Sequence, residues 1–253
     1  MKKAVFTILL LAGLCFSASA LAYAPGERTI RLLGETLNSD KHPVRLVLRQ
    51  TIDMKELLTE EAYAGLQEED RLRFSRTEYN EINGLCSERN TTTNGAGQLV
   101  RDVASFSRDG RWYSVDYLNK TYDDLPELPG MSVAFAETLV SWFARPPESG
   151  HDKALGWDYD LLTKGDDGAL ELRFYYEPGS GRWQGMQEKH MPMVEIAELG
   201  QEVDEAAAFA LPPADFTRVP NERMRSYASR LMLRQQLRQQ DAAADGANEE
   251  NEP

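Results

Sequence analysis

Cysteine and histidine are scarce in this 253-residue chain, with two of the first and three of the second. Cys15 falls in an apolar leader, so the processed chain would keep only Cys86. A lone cysteine closes no intrachain disulfide, and the fold must then be held by its core. The histidines His42, His151 and His190 are scattered, which leaves no zinc-ligand spacing and no legible pairing with Cys86. Cys86 is read as a semi-buried thiol. H-E-x-x-H, G-x-S-x-G, a phosphate loop and paired C-x-x-C are all missing from the sequence. No cofactor or metal is therefore expected, and the chain is read as a non-enzyme. Basic charge is also short: 28 Lys and Arg against 41 Asp and Glu leave a formal charge of -13. Such a chain is repelled by phosphate backbones, which argues against a nucleic-acid partner. The apolar run from Ala4 to Phe16 falls short of the roughly 20 residues needed to cross a bilayer, so no transmembrane segment is expected in the mature protein.

What is present at the start is a secretory leader. Lys2 and Lys3 precede the apolar run, and Ala18-Ser19-Ala20 supplies a small-residue cleavage site. Ala22-Tyr23-Ala24 also fits, but Pro25 would follow the cut. Leu14 stands before Cys15 where a lipid-modified cysteine needs a small residue. The expected compartment is a Gram-negative-type periplasm, with secretion as the second choice. The expected parts are a signal peptide over 1–20, one domain over 21–220, a basic helix over 221–240 and a disordered acidic tail over 241–253, where almost nothing can be buried.

Alternation of apolar and polar residues dominates the middle of the chain. "ERTIRLL" and "HPVRLVLRQTI" read as strands. A helix is expected from about Met54 to Leu66, in one or two pieces, and "NTTTNGAG" (Asn90 to Gly97) as a polar loop. "QLVRDVASFS", Asp109-Gly110 and "RWYSVDYL" form a hairpin signal. Phe135, Leu139 and Phe143 are spaced by four, one helix stripe ended by Pro146-Pro147. "ALGWDYDLLTK", a turn at Asp166-Asp167-Gly168, "LELRFYY", "RWQGM" and "MPMVEIAEL" complete an antiparallel set. Phe209, Leu211 and Phe216 read as anchors of an irregular segment.

Three groups of residues are candidates for function. Trp112, Trp157, Phe174, Tyr176 and Trp183 are aromatic strand residues that could line a groove or simply fill a core, with Tyr113 and Tyr175 at a rim. Asp158 and Asp160 share a strand face, as a pair of hydrolytic carboxylates would, but read better as two solvated acids. Arg223, Arg230, Arg234 and Arg238 lie in the last helix and offer a surface for an anionic membrane or an envelope protein.

"DGRWYSVDYLNKTYDDLP", "ALELRFYYEPGSGRWQGMQ" and "MVEIAELGQEVDEAAAFALPPADFTRV" together resemble the LolA-like superfamily of exported proteins, which includes carriers of outer-membrane lipoproteins. The family features are a hairpin strand leading into Lys120-Thr121-Tyr122, a central hairpin, and an ending with Phe209, Leu211, Pro212 and Phe216. The resemblance covers about half of the mature chain, from about Gln98 to Pro220. The segment from Met54 to Gly97 and the basic final helix depart from the family pattern. It implies an α+β fold: a curved antiparallel sheet, an unclosed barrel, with helices on its concave face. It also implies a lipid or acylated protein as partner, held against Phe135, Leu139, Phe143 and the strand aromatics.

Overall fold

The computed structural model describes residues 26–128, 131, 134–139, 143, 145–164, 170–230 and 232. The expected signal peptide with Cys15, the Asp166-Asp167-Gly168 turn, Arg234, Arg238 and the acidic tail lie outside the described residues. Two compact units divide the chain: Asn38–Thr138 with Ala197–Pro253, and Met1–Leu37 with Leu139–Ile196. The stretch 21–220, expected as one domain, contributes to both.

In the larger unit six strands pair in chain order, all antiparallel: β1 (Val44–Asp53), β2 (Leu72–Ile82), β3 (Leu85–Asn94), β4 (Leu99–Arg108), β5 (Arg111–Asp116) and β6 (Thr121–Pro126). Two of the connections are minimal hairpins. Asn83 and Gly84 have φ of 53° and 77°, and Asp109 and Gly110 have 51° and 69°. Two consecutive left-handed residues make the turn whose twist matches the strands. The Asp-Gly hairpin is the one expected; the Asn-Gly hairpin joins two strands that were not expected. The polar stretch expected as a loop from Asn90 is strand up to Asn94, where the Asn94 side chain accepts from the Gln98 and Ala96 N–H groups and closes the turn. Thr91, Thr92 and Thr93 have the β-branched shape that a pleated surface favours.

Between β1 and β2 the expected helix forms in two pieces, α2 (Met54–Leu57) and α3 (Glu60–Ala64), capped by the side chains of Asp53 and Thr59. Register then sorts the sheet into two faces. On one, Phe106, Val115 and Phe209 form a buried cluster with Phe216 packed beside it. Arg108 donates to the Phe209 carbonyl at 2.7 Å. Phe209 and Phe216 thus hold the irregular segment after α5 (Glu205–Ala208), whereas Leu211 is 47% exposed and anchors nothing. Beyond it β12 (Thr217–Arg218) joins β6 as a parallel pair. The other face receives α4 (Phe135–Leu139), through Phe135, and the helix over 222–230, α6. Met224 and Ala228 of α6 are buried, and Tyr227 meets Trp112 at 5.7 Å.

In the second unit β7 (Glu148–Asp152), β8 (Trp157–Lys164), β9 (Leu170–Tyr176) and β10 (Trp183–Glu188) are antiparallel neighbours, and β11 (Val194–Gly200) begins against β10. The stretch 27–33, expected as a strand, is instead the helix α1 (Glu27–Arg31) and a π-helical turn, Leu32–Thr36. A helix turns Thr29 and Leu32 inward together, fully or nearly buried, and leaves Ile30 outside. This segment lies on the apolar face of β9, where Leu172, Phe174 and Tyr176 are buried and Leu170 is not. Tyr175 is buried too, against the expectation of a rim: Trp157 and Tyr159 flank it at 6.1 and 6.0 Å.

Candidate functional site

The expected helix stripe begins with Phe135. Its ring lies 5.2 Å from Tyr79 of β2, and its N–H donates to Glu81 Oε1 at 2.6 Å. Phe135 and Leu139 are buried and Phe143 is half-buried. Phe135 belongs to the larger unit, Leu139 and Phe143 to the other. Glu81 is only 2% exposed, and its Oε2 has no hydrogen-bond partner. Burial pushes this carboxyl above its ordinary range, and Glu137 adds repulsion. The bonds from Phe135 and Ser39 offset the rise only in part. A buried carboxylate with an idle oxygen is an expensive way to hold a helix start. Glu81 escaped notice in the sequence because one acid in a polar stretch carries no periodic signal.

The strand aromatics separate by face. Phe174 and Trp183 are stacked, with centroids 5.7 Å apart and both side chains buried. Tyr176 lies on the same face and bonds through its hydroxyl to Thr29 Oγ1 at 2.7 Å. Trp157 is on the opposite face of the same unit with Tyr175. Trp112 is in the larger unit, against α6.

The two acids differ: Asp160 is not solvated, whereas Asp158 keeps a 34% exposed side chain. Asp160 is fully buried and accepts from Arg28 Nη2 (3.0 Å), Thr29 N (3.3 Å), Thr29 Oγ1 (2.8 Å) and Ser149 Oγ (2.7 Å). Asp158 takes Arg28 Nη1 at 3.3 Å and His151 Nδ1 at 3.0 Å. The Arg28 guanidinium also lies 4.8 Å from the centre of the Tyr176 ring. Both carboxylates are thus bound to one cation, and the network fastens α1 to β8. An acid whose lone pairs are all engaged is poorly placed to move protons to a substrate.

The basic helix spends one arginine internally. Asp123, with a fully buried side chain, accepts from Arg225 Nε and Nη2 at 2.9 and 3.1 Å and from the Asn221 N–H at 2.9 Å. Burial pushes the Asp123 carboxyl up, but these bonds together outweigh it and hold the group below its ordinary value. Arg223 and Arg230 remain exposed. No group of three or more metal-ligating side chains occurs among the described residues, and none of their helices is long and apolar enough to cross a membrane.

No family model matches the chain, and no curated protein matches it. Among solved structures it is similar to an uncharacterised conserved protein from Thermus thermophilus, with a TM-score of 0.41 at 10% identity over 77% of this chain and 98% of that one. It is also similar to PNGF-II in two crystal forms, each with a TM-score of 0.30 at 9% identity. There the match covers 73% of this chain and 32% of the other.

Proposed function

We propose that the protein is a periplasmic, non-enzymatic binding or carrier protein for an apolar or lipidic ligand, in the manner of LolA-like carriers. The observation that supports this most is the attachment of α4. The described part of this helix is held at its start by Phe135 against Tyr79 and by the buried Glu81 carboxyl. Moving Phe135 and Leu139 back into water costs about 3–6 kcal/mol, at roughly 1.5–3 for each side chain. An acyl chain recovers about 0.8 kcal/mol per methylene, so about four to eight methylenes offset the displacement. An ordinary fatty acyl chain exceeds that length. Native mass spectrometry of gently purified protein, with titration of a fluorescent fatty acid, tests the reading. A retained lipid mass or saturable uptake is expected. Recovery of bare protein only, with no uptake, removes the proposal.

A second reading is an envelope scaffold. It draws support from α6, whose buried Met224 and Ala228 leave Arg223 and Arg230 facing outward. Truncation after Val219 abolishes partner capture under this reading and leaves fatty-acid uptake unchanged under the first.

A further inference from the structure

On the sheet face opposite α4, β2 and β3 place Asn80 and Ser87 directly across from each other. Each is 6% exposed, and neither side chain has a hydrogen-bond partner among the described residues. They line a cleft of about 460 Å³, inside the roughly 300–1,000 Å³ range of small-molecule sites. Neither is among the fully enclosed unpaired polar atoms, so the amide and the hydroxyl open onto the cleft side by side, where they can bond an occupant that both donates and accepts.

The walls restrict what that occupant is. Arg45 donates to Glu78 at 2.9 Å and to Glu198 at 2.5 Å. Arg89 grips Asp102 through two bonds of 2.9 and 2.8 Å and lies 4.4 Å from the Tyr117 ring centre. Both guanidiniums are therefore neutralised before any ligand arrives, and their acids are not free to take a cation. Glu202 and Asp204 at the rim add negative charge, which turns anions away. What remains is a fixed array of donors and acceptors beside an aromatic ring and the small side chains of Ala104 and Ala207. Hydroxyl groups match such an array because each one donates and accepts.

We propose that this cleft binds a neutral polyhydroxyl ligand, a saccharide or similar polyol, with Asn80 and Ser87 as its floor. The site is independent of the acyl-chain reading and lies on the other face of the sheet. Saturation-transfer-difference NMR on the full chain with glucose, N-acetylglucosamine, maltose and trehalose tests it. Signal from at least one of the four sugars is expected. Asn80→Ala should weaken that binding about tenfold, the usual scale for one buried hydrogen bond to a polar ligand. Ala207→Phe, at an exposed position of α5 that lines the cleft, should block it and abolish the signal while the circular dichroism melt stays that of wild type. Fatty-acid uptake should be unchanged in both variants. The proposal is overturned if none of the four sugars gives a signal. It is also overturned if the signal survives Ala207→Phe, or if glutamate or spermidine binds there in place of the sugars.

Discussion

Replacing Asp160 by alanine is the sharpest perturbation of the second unit. The carboxylate is fully buried and accepts four hydrogen bonds from three residues. Its removal leaves Thr29 N and Ser149 Oγ without this acceptor. It also leaves Arg28, whose side chain is 12% exposed, with Asp158 alone. Breaking a buried pair from one side costs about 3–5 kcal/mol, mostly the desolvation of what is left behind. Asp158 is the internal control. It binds the same guanidinium, but its side chain is 34% exposed and its second partner is an exposed histidine. Asp158→Ala should therefore cost only about 0–1 kcal/mol. Urea unfolding followed by tryptophan emission is the assay, because Trp157 and Trp183 both belong to this unit. Limited trypsin digestion should also cut after Arg31 in the Asp160→Ala protein, where α1 has lost its fastening. Equal losses in the two variants, or a loss below about 1 kcal/mol for Asp160→Ala, would refute the assignment of the network as the clamp on α1.

Glu81→Gln keeps an acceptor for the Phe135 N–H and removes the buried charge. The folded carboxyl titrates above its unfolded value, so the native state binds the extra proton and wild type gains stability as pH falls. The variant should be the more stable protein at pH 8, with the difference fading on acidification, as read from urea midpoints. For Asp123 the sign reverses: its contribution is present above the ordinary carboxylate range and lost as pH falls through its lowered value. Arg225→Ala should lower the urea midpoint, because the buried Asp123 carboxylate then loses two of its hydrogen bonds, and should expose 222–230 to trypsin. The Cys86 thiol, pushed up to about 12 chiefly by burial and further by nearby Glu81, Glu137 and Glu127, should react with a disulfide reagent at pH 8 at least about a hundredfold faster in urea than in buffer. Gly185→Ala should destabilise the β10–β11 contact, since a Cβ there would meet the Val194 carbonyl oxygen at 2.4 Å; a circular dichroism melt unchanged from wild type would contradict it.

Period-two alternation made β1, β4, β5, β8, β9 and β10 legible, because each has one face that must leave water and one that need not. The same rule misled wherever tertiary context supplied the second cover. Tyr175 sits at a polar-phase position of β9, yet Trp157 and Tyr159 bury it from that side. Thr29, Ile30 and Leu32 mimic strand spacing over seven residues, too short a window to separate a period of two from one of 3.6. The strands β2 and β3 went unrecognised for a different reason. Their inner positions carry Glu78, Asn80, Ser87 and Arg89, which have no apolar signature, and they are polar because that stretch of the face lines a cleft. Asn83-Gly84 is the signal that could have revealed this hairpin, since such a turn can be read without any hydrophobic pattern. The clamps at Asp160 and Asp123 were equally silent, since each joins partners about a hundred or more residues apart in chain. The positions that defeat periodicity are thus the ones where polar side chains face inward. In this chain they coincide with the Glu81 attachment of α4, the two ionic clamps and the Asn80–Ser87 floor, which places the functional candidates where the sequence pattern is weakest.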